Sequence, residues 1–340
     1  MRGVVMNGPG NVQVVERENP SLREPTDAII RVKAACVCGS DLWPYRGAEP
    51  AENLLMGHEY VGIVEEIGRE VTGVKPGDLA VGSFVISDNT CEICRAGYQS
   101  RCEHGVFVHG EIGTQAERAR IPHADGTLVA LPGEPNEEQL ASVLAASDVL
   151  GTGWFAAVAA EAGPGKTVVV VGDGAVGLMG ILAAKQLGAE RIIAMSRHED
   201  RQRLAREFGA TDIVTERGEA GTEKIKEMTG GPGAHSVIEA VGSQESMMQA
   251  IGSARPGGHI GYVGVSHDVE LPGDQLFFGL VHLHGGPARV RRFLPDLVQR
   301  IWEGRINPGV VFDRIMTLDQ AAEAYSAMDR REAVKVMLKP

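Results

Sequence analysis

Two short runs carry the side chains best suited to chemistry, Cys38-Gly39-Ser40-Asp41 and Gly57-His58-Glu59. Thiolate sulfur and imidazole nitrogen are natural zinc ligands, and a catalytic zinc takes three protein ligands while leaving one position open. The separation of the two runs is neither a helical nor a finger spacing. The residue types alone therefore also fit a buried thiol and a hydrogen-bonded core histidine. The chain has five cysteines, Cys36, Cys38, Cys91, Cys94 and Cys102. An odd count in a chain of this size reads as metal ligation or free thiols rather than a disulfide framework.

A third run, Gly172-Asp173-Gly174-Ala175-Val176-Gly177, has the G-x-G-x-x-G pattern. It follows a β-branched stretch and opens an apolar, helix-length one, the context in which the pattern binds a dinucleotide. Gly172 makes the tight turn, Gly174 lets the backbone approach a pyrophosphate, and Gly177 allows close helix–strand packing. Free N–H groups at the helix start, from Ala175 and Val176 onward, face the phosphates. At the end of the next strand, NAD-binding versions place an acidic residue on the ribose. Here Met195-Ser196-Arg197-His198 stands there, with no carboxylate before Glu199. A hydroxyl and a guanidinium suit a 2′-phosphate, so Ser196 and Arg197, supported by Arg201 and Arg203, predict NADP(H).

The elements that must position these groups fall into two textures. Residues 1–149 read as β-rich, with short apolar runs such as 28–32 and 60–64 between Gly/Pro turn signals, which suggests a barrel-like domain. From about residue 150, strands alternate with helices: strands at 168–171, 191–195, 212–214, 236–239, 259–263 and 280–284, and helices at 176–187 and 199–208. That alternation predicts βαβ units and a doubly wound parallel sheet. The last stretch reads as a helix at 288–302, a strand at 312–316, a helix at 318–328 and a strand at 334–338. At 340 residues, 43% hydrophobic and 23% charged, the chain has the composition of a globular protein. Its formal charge of −12 argues against nucleic acid as a partner. The opening Met1-Arg2-Gly3-Val4-Val5-Met6-Asn7 is too short an apolar stretch for a signal peptide, and no apolar run approaches the ~18 residues of a membrane span. The expectation is cytoplasmic, with no membrane partner.

Cys-Gly-Ser-Asp, Gly-His-Glu some 20 residues later and a nucleotide fold opening near residue 165 together resemble the zinc-dependent alcohol dehydrogenases of the medium-chain dehydrogenase/reductase superfamily. The likeness extends to Gly73-Val74-Lys75-Pro76-Gly77-Asp78 and to the closing Ala333-Val334-Lys335-Val336-Met337-Leu338. It implies an α/β protein: a discontinuous GroES-like β-barrel catalytic domain (1–149 and 285–340) around a Rossmann domain with a doubly wound parallel sheet (150–284), with the active site in the cleft. It implies a catalytic zinc on Cys38, His58 and Asp148, the last taken from Ser147-Asp148-Val149-Leu150-Gly151. Glu59 is then the nearby carboxylate able to replace water on the metal, and Asp41 orients His58. Ser40 accepts the alcohol proton. Many relatives finish a proton relay with a histidine just after this motif, where this chain has Leu42-Trp43-Pro44. Trp43, Ile86 and Trp154 are candidate walls of the substrate pocket.

The resemblance also suggests a structural zinc. Relatives carry C-x-x-C-x-x-C-x7-C, and the spacing is kept here by Asp88, Cys91, Cys94 and Cys102, with aspartate in the first place and His104 as a substitute ligand. Cys36 matches no ligand position. The activity implied is hydride transfer between NADP(H) and an alcohol/carbonyl pair: a secondary alcohol, a polyol or an aldehyde. The alternatives are a zinc-free quinone or enone reductase of the same superfamily and a non-catalytic NADPH-binding protein. A homo-oligomer is expected, a tetramer ahead of a dimer.

Overall fold

The computed structural model describes residues 1–340. The chain divides into two compact units, Met1–Gly151 with Arg289–Pro340, and Thr152–Ala288.

The first unit is built on a seven-stranded, mostly antiparallel sheet. Its strands run in the order Leu128–Ala130, Leu79–Gly82, Tyr60–Ile67, Ala28–Cys36, Val336–Lys339 and Arg314–Thr317, and Arg118–Ile121 also pairs with Ala28–Cys36. A smaller sheet sets Arg2–Met6 between Val12–Glu16 and Leu54–Leu55. Alternate residues of the strands point inward, as a two-residue period requires. Ile30, Val32, Tyr60, Val64, Ile86, Ile121 and Leu128 close one core cluster. Packing is tight enough that a Cβ on Gly82 would lie 2.0 Å from the Tyr60 hydroxyl. Asp27, fully buried, pins the entrance of strand Ala28–Cys36 by accepting from the Arg23 and Glu24 amides (both 2.8 Å) and from Arg120 Nε at 2.6 Å.

The second unit is the expected doubly wound sheet. Six parallel strands lie in the order Asp212–Val214, Arg191–Met195, Thr167–Val171, Ala234–Glu239, Ala254–Tyr262 and His282–Gly285. Val168, Val169 and Val170 are wholly buried, as a central parallel strand covered on both faces must be.

Several boundaries move from their sequence-based places for local reasons. The strand expected at 280–284 starts only at His282, because a helix occupies Gly273–Gly279 and Leu280 ends it in the left-handed region at φ 50°. The strand expected at 312–316 is Arg314–Thr317, since a 3₁₀ turn, Pro308–Val311, precedes it. The final strand is Val336–Lys339 rather than 334–338, because the amides of Val334 and Lys335 bond the Asp313 carboxylate instead of a neighbouring strand. No single helix is long and apolar enough to cross a membrane.

Candidate active site

Three segments of the first unit converge on Cys38. Strand Ala28–Cys36 delivers it into a tight turn, in which Cys38 N–H donates to Asp41 Oδ2 at 2.9 Å and Asp41 N–H donates to Cys38 O at 3.2 Å. His58 follows Gly57, whose φ of +92° and whose contact with Gln115 exclude a side chain: a Cβ there would sit 2.5 Å from Gln115. Asp148 occupies the break between helices Glu137–Ala146 and Val149–Ala159, bent by 51°. Its neighbour Ser147 fixes that break, its hydroxyl donating to Gly82 O at 2.7 Å and accepting from Tyr60 N–H at 3.1 Å.

The result is a buried cluster in which Cys38, His58, Glu59 and Asp148 each bring a ligand atom within 4.8 Å of the others. Cys38 Sγ lies 3.6 Å, and His58 Nε2 3.2 Å, from the same Asp148 oxygen, Oδ2. Behind His58, Nδ1 is 3.4 Å from Asp41 Oδ1. Burial alone would keep His58 neutral, but Asp41 and Asp148 raise it well above the ordinary histidine range. Burial pushes the Asp41 carboxyl up, yet His58 and His109 outweigh it and hold it far below the usual carboxylate range. Glu59 Oε2 is buried without a hydrogen-bond partner. A sulfur, an imidazole nitrogen and carboxylate oxygens within 4.8 Å of one another, with Glu59 Oε2 buried and unpartnered beside them, fit a zinc ion.

Other residues of this network carried no sequence signal of their own. His109 places Nδ1 3.3 Å from Asp41 Oδ1 and is partly accessible. Gln115 donates to Asp41 Oδ2 at 3.2 Å and accepts from the Tyr325 hydroxyl at 2.9 Å, with all three side chains buried. Lys335 donates to Glu59 Oε1 at 2.6 Å. Of the residues expected near substrate, Ser40 and Trp43 are half-buried and Ile86 is sealed in the barrel core. Trp154 is buried in the second unit.

The second cysteine cluster is also brought together, with Asp88, Cys91, Cys94 and Cys102 offering ligand atoms within 4.8 Å of one another. Asp88 Oδ1 accepts from the amides of Thr90 (2.8 Å) and Cys91 (3.0 Å), and Oδ2 lies 2.7 Å from His104 Nδ1. His104 thus backs Asp88 rather than replacing it, the usual way an outer group orients a ligand. The amides of Asp88 and Cys94 donate to Cys102 Sγ and Cys91 Sγ, both at 3.4 Å; hydrogen bonds from the backbone lower the Cys91 thiol, whereas burial pushes the Cys102 thiol up. All five cysteines are free, and Cys36 is buried.

In the second unit the glycine loop has the geometry its pattern calls for. Gly172 has φ +120°, and a Cβ on Gly177 would lie 2.0 Å from Gly172 O, so the helix start can approach the turn only without a side chain. A Cβ on Gly174 would meet nothing within 4 Å, which leaves open space before the first amides of helix Ala175–Gln186. At the strand end, Ser196 Oγ donates to Asp173 Oδ2 at 2.8 Å, and Arg201 Nη1 lies 3.3 Å from Asp173 Oδ1. The loop itself therefore supplies the carboxylate that the strand end lacks, already paired with Arg201. Arg197 is exposed.

Comparison with known proteins places the chain in a family. A family model described as "Alcohol dehydrogenase GroES-like domain" matches residues 24–133, and one described as "Zinc-binding dehydrogenase" matches residues 175–301. The chain is 36% identical to zinc-type alcohol dehydrogenase B of Aspergillus flavus, over all of this chain and 81% of the relative. It is similar in structure to the alcohol dehydrogenase of Thermus sp. ATN1, with a TM-score of 0.91, 33% identity, and coverage of 100% and 99% of the two chains. An NAD-dependent alcohol dehydrogenase superposes with a TM-score of 0.86 at 28% identity over the full length of both chains. The chain belongs to the zinc-dependent alcohol dehydrogenases of the medium-chain dehydrogenase/reductase superfamily.

Proposed function

We propose that the protein interconverts an alcohol and its carbonyl with NADP(H), at a zinc held by Cys38, His58 and Asp148. The observation that carries this reading is the buried meeting of those three side chains around Asp148 Oδ2. Bound there, zinc supplies Lewis acidity, lowering the pKa of an alcohol hydroxyl or polarising a carbonyl. A nicotinamide cofactor, when bound, would supply the hydride acceptor for oxidation of the carbinol carbon, and the proton leaves from the alcohol oxygen. Ser40, half-buried and two residues beyond Cys38, offers its Oγ to take that proton and pass it towards the cofactor ribose. Asp41 keeps His58 presenting Nε2 by facing Nδ1. The open space over Gly174 would let a pyrophosphate approach the helix amides.

NADP(H) is preferred in this reading because Arg197 is exposed and the carboxylate that Ser196 bonds, that of Asp173, is paired with Arg201. The substrate is a secondary alcohol, a polyol or an aldehyde. Asp88, Cys91, Cys94 and Cys102 hold a second, structural zinc. The protein acts as a homo-oligomer, for which the edge strand His282–Gly285 and the exposed Phe277, Phe278 and Leu280 are the contact surface.

The test is carbonyl-dependent cofactor oxidation across aldehydes, ketones, sugars and quinones, with NADPH and NADH, before and after treatment with a zinc chelator. Chelator-sensitive turnover of one carbonyl class with NADPH is expected. Chelator-insensitive reduction of quinones or enones would overturn the reading.

A further inference from the structure

Beside the Cys38 cluster stands a histidine that the chemistry proposed above leaves unused. Asp41, His58 and His109 bring atoms able to hold a metal within 4.8 Å of one another. The side chains of Asp41 and His58 are 0% and 6% exposed, whereas that of His109 is 26% exposed. Strand pairing sets its place. Val85–Ile86 runs antiparallel to Val106–Phe107, with Val85 opposite Phe107, and Val108 N–H donates to Phe84 O at 3.0 Å. Gly110, at φ +82°, then turns the chain. The His58 ring meets the Phe84 ring at 6.2 Å and the His109 ring at 6.0 Å between centroids, both edge-on. Phe84, half-buried, stacks on Phe107, which is 46% exposed. Two apolar rings and one imidazole therefore lie between the buried His58 and solvent.

We propose that His109 is a specificity residue that accepts a hydrogen bond from a second hydroxyl of the substrate, which makes the substrate a vicinal diol or its α-hydroxy carbonyl. This rests on the zinc-site reading above and narrows its substrate class. The acceptor follows from Asp41. Its Oδ1 faces His109 Nδ1 at 3.3 Å, while its Oδ2 is held by Cys38 N–H at 2.9 Å and by Gln115 Nε2 at 3.2 Å. A carboxylate fixed in that way draws the ring proton to Nδ1, which leaves Nε2 of the neutral imidazole an acceptor. Once a substrate covers that nitrogen, water no longer reaches it, and leaving it without a donor is costly. A hydroxyl restores the bond and a methyl group does not. Because the rings of His58 and His109 are so close, the hydroxyl that reaches Nε2 lies beside the oxygen at the cluster, on the adjacent carbon. Phe84 and Phe107 face the apolar remainder of the molecule.

The experiment is steady-state oxidation of butane-2,3-diol and butan-2-ol, which differ by a single hydroxyl, by the full-length zinc-loaded protein with NADP+ and with NAD+. The readout is the ratio of kcat/KM for the two alcohols, with metal content measured alongside. The wild type is expected to favour the diol by about tenfold or more. His109→Phe keeps the ring but offers no acceptor, and is expected to abolish the preference. His109→Gln, whose amide has a donor for Asp41 and an acceptor for the hydroxyl, is expected to keep most of it. Should His109→Phe not fold, His109→Ala is expected to show the same loss. A wild type that does not favour the diol, an unchanged ratio in metal-bearing His109→Phe or His109→Ala, or a loss in His109→Gln as complete as in His109→Phe overturns the proposal. Retention of metal and of turnover with both alcohols in Cys38→Ser would instead overturn the zinc-site reading, and the role of His109 with it.

Discussion

At the scale of single residues, the site depends on one carboxylate oxygen. Asp148 Oδ2 is the point at which Cys38 and His58 meet, at 3.6 and 3.2 Å. Asp148→Asn replaces an anionic donor with a weak neutral one, and Cys38→Ser removes the thiolate. Each variant is expected to lose metal at this cluster and nearly all activity while still binding NADPH, which metal analysis and cofactor fluorescence will show. A fully active variant stripped of metal would rule out the proposed chemistry. Arg197 is the matching residue in the cofactor unit. Because a guanidinium contributes most to a doubly charged 2′-phosphate, Arg197→Ala should raise the Kd for NADPH about tenfold or more and that for NADH far less. Equal losses would place the 2′-phosphate elsewhere.

At the scale of elements, two packing arrangements give predictions of their own. Helix Ala175–Gln186 can start where it does only because Gly177 lacks a side chain over Gly172 O. Gly177→Ala is expected to push the loop outward, costing about 1–3 kcal/mol of stability and weakening both cofactors alike. An unchanged thermal midpoint with unchanged cofactor binding would contradict the tight packing. In the barrel, burial pushes the Asp27 carboxyl up, but Arg120 and the amides of Glu24 and Arg23 outweigh it and hold it below the usual range. A carboxyl lowered in the folded state stabilises the fold above its unfolded pKa, and that stabilisation is lost as pH falls through the lower folded value. Asp27→Asn should therefore destabilise the protein by about 1–3 kcal/mol near neutrality, and the gap to wild type should narrow below about pH 4. A gap independent of pH would show that Asp27 acts by shape rather than charge.

At the scale of the whole molecule, the second unit presents Phe277, Phe278 and Leu280 at 74%, 79% and 68% exposure beside an edge strand, His282–Gly285. Apolar surface of this kind next to unpaired backbone groups is what a self-associating edge looks like. Light scattering should give a multiple of the 36.2 kDa chain mass, and Phe277→Glu/Phe278→Glu should reduce it. A monomeric wild type would exclude the expected oligomer.

The sequence by itself determined whatever local periodicity or short spacing encodes. The β-branched run at 168–171 followed by the glycine pattern specified a buried parallel strand, its turn and its helix, because those residues are neighbours in the chain. Cys38, Ser40, Asp41 and Asp148 were singled out through their places in a family pattern. Tertiary structure decided what meets across long separations. Glu59 and Lys335 are 276 residues apart, and Gln115 and Tyr325 are 210 apart. No spacing rule links such pairs, since only strand pairing and core packing bring them together. Asp173 is the instructive case. It stood in view as the variable residue of the glycine pattern, but that its carboxylate would turn to Ser196 and Arg201 depended on two parallel strands ending side by side, Val171 opposite Met195. In the same way a lysine in a closing apolar strand reads as a surface charge. Only burial beside Glu59 makes it the cation that compensates a carboxylate at the metal site.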